Sequence, residues 1–123
     1  MAAPNIVNVT SIIGNSLSVA VLTTATQLAS NAASSGKVFK INSIVVANID
    51  GTSAADITVN IYSAAALGGT PIAIASTISI PADASLIVTD KTTTFYLLEN
   101  QSIGALASAT GDLVATISFE EIT

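Results

Sequence analysis

The chain of 123 residues has no cysteine, no histidine, no tryptophan and no arginine. Each absence removes a class of chemistry. Without cysteine there is no disulfide framework and no thiolate metal site, so stability rests on packing, and the redox compartment leaves no mark. Without histidine the commonest general acid–base group is missing. Ser-His-Asp triads, cysteine nucleophiles and most zinc sites go with these two residues. The five aromatics are Phe39, Tyr62, Phe95, Tyr96 and Phe119, too few and too poor in basic neighbours to form a stacking platform for bases or sugars. Phe39, Phe95 and Phe119 are read as core. No phosphate-cradling glycine loop and no G-x-S-x-G elbow occurs, so the seven glycines are read as turn residues.

Charge is scarce as well. Charged residues make up 9% of the chain, against about 25% in an ordinary soluble domain, so serine, threonine, asparagine and alanine must cover much of the surface. Such a surface carries little self-repulsion and little desolvation cost, which favours packing against copies or partners. Three lysines face eight acidic residues, a net charge of -5, and cannot neutralise a phosphate backbone; no nucleic-acid partner is expected. The stretch before Lys37 is uncharged, but Asn5, Asn8, Asn15, Ser16 and Ser18 cut its apolar runs far short of the roughly 20 residues that span a bilayer, so no membrane span is expected. Met1-Ala2-Ala3-Pro4 lacks a basic signal-peptide start, and cytoplasmic synthesis is the expectation.

The periodicity that is present is two. Ile57, Val59 and Ile61 alternate with Thr58, Asn60 and Tyr62; Leu113, Ala115, Ile117 and Phe119 alternate with Val114, Thr116, Ser118 and Glu120. Between Pro71 and Pro81 the pattern places Ile72, Ile74, Ile78 and Ile80 on one buried face. Lys37 to Ile49 starts on odd positions and then runs Ile44-Val45-Val46, which predicts a β-bulge or a strand covered on both faces. Further strands are predicted over Ile6 to Ile13, Leu17 to Leu22, Ser85 to Val88, Thr94 to Leu98 and Ile103 to Ala107. Turn chemistry separates them at Gly14-Asn15, Ser35-Gly36, Asp50-Gly51, Gly68-Gly69, Pro81-Ala82-Asp83 and Gly111-Asp112. The conformation of 23–35 stays open, and 64–69 reads as a loop or hairpin tip.

About eight or nine short strands joined by such turns predict an all-β chain, an antiparallel β-sandwich of immunoglobulin-like or jelly-roll-like form. One domain over 15–123 is expected, preceded by an N-terminal arm over 1–14 that pairs with another copy's sheet. Among the acids, Glu120 and Glu121 are adjacent on a strand and point to opposite faces, the wrong geometry for a cooperating pair. Asp50, Asp56, Asp83, Asp90, Glu99 and Asp112 sit at strand ends or turns. Hard-oxygen ligands on loops suit calcium, but no EF-hand spacing is present, and turn capping explains them. No catalytic, cofactor-binding or metal-binding residue is assigned, and no cofactor.

Val46-Ala47-Asn48, Thr58-Val59-Asn60-Ile61-Tyr62, Pro81-Ala82-Asp83-Ala84-Ser85-Leu86 and Glu121-Ile122 follow one another at a spacing that resembles a recurrent small β-sandwich of tailed-phage virion proteins. The likeness covers about two-thirds of the chain, and MAAPNIVNVTSIIG resembles the start of structural proteins from marine phages, cyanophages among them. One departure is Leu98-Glu99-Asn100-Gln101-Ser102, where the family has an L-x-x-G-D turn. The resemblance implies a virion location and no catalytic residues. The function expected is that of a capsid decoration or cement protein, a homo-oligomer with a trimer favoured, bound outside the major capsid protein lattice. The alternatives are a tail, neck or fibre-base component and, further off, a cell-surface filament subunit or a carbohydrate-binding module.

Overall fold

A computed structural model describes residues 7–123, and these form nine strands and no helix. The strands are β1 (Ile12–Ala20), β2 (Thr26–Asn31), β3 (Val38–Asn48), β4 (Ala55–Ala64), β5 (Gly68–Ile80), β6 (Ser85–Thr89), β7 (Phe95–Leu97), β8 (Gln101–Ala107) and β9 (Leu113–Ile122). Their pairing is nested. β1 pairs with β9, β2 with β8, β3 with β6 and β7, and β4 with β5, all antiparallel, as in one long hairpin rolled up. The further pairs β3·β9 and β4·β8 join the nest into two sheets, which we call A (β1-β9-β3-β6, with β7 also on β3) and B (β2-β8-β4-β5). β6 and β7 lie along the same strand as two pieces of one edge. Counted together, they give the eight-stranded order of a jelly roll, one of the two sandwich forms the sequence predicts.

The alternating residues of β4 and β9 meet in the middle. Ile57 and Val59 pack with Leu113, Ala115 and Ile117, joined by Ile41, Ile44, Val46, Ile103 and Leu97 in one aliphatic core. Phe39 and Phe119 stack at 5.2 Å within it, and Phe95 packs against its edge. Each fully buried aliphatic side chain contributes about 1.5–3 kcal/mol, so this layer is the main source of stability in a chain without cross-links.

Two buried asparagines close the ends. Asn48, the last residue of β3, donates from its amide to Ser53 O and Ile80 O, both at 2.9 Å, and its Oδ1 accepts from Asp50 N at 2.9 Å. Asn31, at the end of β2, donates to Lys37 O at 2.9 Å and Leu97 O at 3.2 Å, and its Oδ1 accepts from the Ser35 hydroxyl. Each one ties a loop carbonyl to the carbonyl of a buried strand-end residue, Ile80 or Leu97, which would otherwise lack this donor.

Several expectations change. Gly14-Asn15 is no turn: β1 runs straight through it, because Asn15 donates to Glu121 Oε2 at 2.8 Å across the ladder and Gly14 keeps an ordinary strand backbone. One strand therefore replaces two, and it takes in Ile12 to Gly14; residues 1–6 of the expected arm, Ile6 included, lie outside the described residues. On β5 only Ile80 of the four isoleucines is buried, while Ile72, Ile74 and Ile78 are exposed. Register shifts against β4 around Val59, with Thr77 at φ 49°, break the alternation and turn Ala75 inward instead. On β3 the bulge of the two alternatives is found, at Asn42 between Ile41 and Ser43. The open segment 23–35 contains β2.

The tip between β4 and β5 turns at Ala66-Leu67, and both residues have positive φ (56° and 59°), the geometry usually given to Asn-Gly. It is held there by side chains below it. Leu67 N donates to Ser102 Oγ at 2.9 Å, Ser102 Oγ donates to Ala64 O at 2.7 Å, and Ala66 N donates to Ser30 Oγ at 2.9 Å. Leu67 thereby covers Gly104, where an added Cβ would stand 2.7 Å from its side chain and 3.0 Å from the Tyr62 ring. Tyr62 points outward as its alternation predicts, yet is buried under this tip.

Replacing Asn48 with alanine leaves the buried Ile80 carbonyl without its donor and should destabilise the chain by about 1–3 kcal/mol, read from the midpoint of urea unfolding. A loss below about 0.5 kcal/mol would show that Asn48 does not hold the end closed.

Candidate interaction surfaces

The charged side chains are segregated. Asp50, Asp83 and Asp112 lie on the loops of one end, with Asp56 beside them at the start of β4, where Asp83 N donates to Asp50 O, Ile49 N to Asp112 O and Ser108 N to Asp56 O. Lys37, Glu99 and Glu121 lie at the other end. There Lys37 Nζ meets Glu121 Oε1 at 3.1 Å, the only ion pair among the described residues. The rest border a cleft on the outer face of sheet A. The loop 90–94 between β6 and β7 stands beside β3 and β9 and encloses about 680 Å³ lined by Lys40, Asn42, Ser43, Asp90, Lys91, Thr94, Ser118 and Glu120.

This distribution leaves large parts of the surface uncharged. β1, β2, β5 and β8 carry no charged residue, and β4 carries only Asp56 at its margin. The outer face of β1 and β9 is a hydroxyl ladder in which Ser16 donates to Ser118 at 3.3 Å and Ser18 meets Thr116 at 2.9 Å. Ile12, Ile13 and Leu17 of β1 and Ile72, Ile74 and Ile78 of β5 add exposed apolar area along the two flanks. Scattered apolar residues are ordinary on a surface, but rows along uncharged sheet edges mark places where another chain can pack.

Two of the turn acids, Asp50 and Asp90, are capped as the sequence predicts. Thr52 donates to Asp50 Oδ1 from its backbone N and its hydroxyl, each at 2.9 Å, and Thr92 does the same to Asp90 Oδ1 at 2.9 and 2.7 Å. The Thr52 N–H, then its hydroxyl, holds the Asp50 carboxyl below its usual range; at Asp90 the Thr92 hydroxyl leads and its N–H follows. A carboxylate stabilised in this way is a weaker base than usual, the opposite of what a general acid near neutral pH requires. Among the described residues no three acidic side chains gather as a metal ion would need. The polar cleft was not predicted. Its lining comes from positions 40–43, 90–94 and 118–120, and only the fold brings them together.

No protein-family model matches the chain, and no curated protein matches it in sequence. Solved structures resemble it to different degrees. One, from work on Bacillus endospore appendages described as a novel family of disulfide-linked pili, is 16% identical over 92% of this chain and 88% of that one, with a TM-score of 0.53. A pentameric capsid protein isolated from metagenomic phage sequences is 15% identical, covering 88% of this chain and 62% of that chain, with a TM-score of 0.44. A protein of the T13 IBDV viral particle is 10% identical over 93% of this chain and 31% of its own length, with a TM-score of 0.47. At 16% identity the likeness to the first of these concerns the fold alone.

The capped aspartates give a signed pH dependence. Their folded pKa values lie below the ordinary 3.8, so their contribution is full above that value and disappears as pH falls through the lowered ones. The double variant Asp50→Asn and Asp90→Asn should therefore lose less stability on acidification than the parent. Urea midpoints taken from about pH 6 down to about pH 2 compare the two; parallel decline would assign the acid sensitivity elsewhere.

Proposed function

We propose that this chain is a non-enzymatic structural subunit that works in many copies, and that its assembly is a virion, with the chain on the outside of the capsid. The observation that carries the reading is the segregation of charge to two ends and one cleft. The flanks and sheet B are left neutral and hydroxyl-rich, able to pack against protein without stripping water from ions. Asp90, at the cleft's rim, is held below its ordinary range by Thr92, away from what proton transfer near neutral pH requires.

The virion assignment draws on the sequence resemblance, whose residues now have physical roles. Asn48 closes one end, Tyr62 anchors the hairpin tip, Pro81 to Leu86 form the turn into β6, and Ile122 ends the last strand. These are requirements of the fold, which explains why they recur in order without any catalytic residue. Four aspartates at one end and a net charge of -5 suit a position facing away from a genome. Bound as a homo-oligomer, the chain would need only about 800 Å² of surface per partner at each contact. Repetition over the lattice multiplies a modest affinity.

A second reading is a filament subunit. The same neutral flanks and the fold shared with the endospore-appendage protein favour it, and without cysteine such a filament would be held by non-covalent contacts alone.

Purified chain mixed with expanded capsids that lack decoration should sediment with them, saturably and in many copies per particle. Capture by isolated tails or necks with none by capsids would move the chain to the runner-up position in the virion. Binding to neither would overturn the virion reading.

A further inference from the structure

A sandwich of two open sheets has four edges, and natural edges are normally blunted by short length, charge, proline or bulges. Three of the four here are blunted. β2 is six residues long with a register shift at Leu28; the β6/β7 edge is cut by a loop carrying Asp90 and Lys91; β5 contains Pro71 and several register shifts against β4. β1 has none of these devices. Its nine residues, IIGNSLSVA, pair with β9 without interruption, contain no charge and no proline, and among the described residues have no strand on their other side.

We propose that β1 is the contact between two copies of this chain, pairing antiparallel with β1 of the second copy about a two-fold axis near Ser16. Sheet A then runs continuously through both copies. The occupant follows from the strand's own pattern. Ser16 is the midpoint of β1, and self-pairing about it sets Ile13 against Val19 of the second copy and Asn15 against Leu17. These residues share the face turned toward sheet B, because their partners on β9 are Glu121, Phe119, Ile117 and Ala115. Ile13 is 53% exposed and Leu17 38% exposed although they belong to that face, so the second copy covers apolar surface that sheet B leaves open. With no charge on the strand, self-pairing brings no like charges together. A partner recognised through charge would find nothing to read here. Two-fold contacts of this self-complementary kind are the commonest in protein oligomers.

This contact deepens the assembly role proposed above and rests on that reading only for its purpose. It is measured on the purified full chain, so its failure and the failure of capsid binding are separate results. Sedimentation velocity over a concentration series should show a reversible monomer–dimer equilibrium. Ser16 is exposed on the hydroxyl face, where its hydroxyl donates to Ser118, so substitutions there should leave folding intact, which an unchanged urea midpoint verifies. Ser16→Lys places two ammonium groups opposite each other and should weaken the dimer about fivefold or more at low salt. Ser16→Glu should do the same. A mixture of the two should form the mixed dimer in preference to either homodimer, an outcome that general loss of stability cannot produce. A chain that stays monomeric at about 1 mM, or any oligomer, a trimer included, that is indifferent to both substitutions, would overturn the proposal.

Discussion

The sandwich depends on its two ends being sealed by side-chain amides. A jelly roll rolls one nested hairpin so that strands from distant parts of the sequence finish together, and at each end the last residue of one strand, Ile80 or Leu97, comes beside the loop that leads into another, at Ser53 or Lys37. Asn48 and Asn31 supply donors, each to two carbonyls of different elements. With no disulfide and one ion pair among the described residues, little else fixes the sheets at a set spacing. The aliphatic core supplies most of the free energy but is non-directional; the asparagines, which can be satisfied in only one arrangement, select the alignment in which that core packs.

A neutral surface follows from the same economy of charge. Charged side chains at the loops solubilise the ends, and the capped aspartates keep the turns ordered, while beyond the cleft on sheet A the flanks and sheet B, Asp56 at its margin apart, stay free of ions. Such a protein is a poor candidate for recognition by electrostatic steering and a good one for packing by shape, hydroxyl contacts and main-chain hydrogen bonds. The difference between edges is informative in this light. Bulges, a proline and an intervening charged loop protect three of them, so the bare fourth cannot be put down to a general lack of protection.

What could be read in the sequence was whatever the backbone period alone determines. β4 and β9 were legible because Ile57-Val59 and Leu113-Ala115-Ile117-Phe119 alternate without interruption, and the aromatic core assignments of Phe39, Phe95 and Phe119 agree with their packing. β5 was misread because bulges shift the period, and a bulge depends on the partner strand; nothing in IAIASTISI announces that Ala75 faces inward in place of Ile74 or Ile78. Gly14-Asn15 has turn composition, but composition does not record that Glu121 stands across the ladder to engage Asn15. Asn31 and the cleft around Lys40 and Lys91 were invisible for the same reason. The Leu97 carbonyl that Asn31 satisfies lies 66 positions away, and the cleft's charges come from three separated segments.

The hairpin tip shows how the fold tolerates a locally unfavourable choice. Two successive non-glycine residues with positive φ cost about 1–2 kcal/mol each, so Ala66-Leu67 would not form this turn unaided. The turn persists because its backbone donors land on Ser30 and Ser102, and because Leu67 fills the space that Gly104 leaves beside Tyr62. Strain at the tip is thus offset by packing on the outside of sheet B, where Tyr62 would otherwise be an exposed ring on a neutral face. Burying it keeps that face free of a large aromatic patch that could attract unintended partners. The surface offered to other chains is therefore shaped by the hairpin tip as much as by the strand pattern.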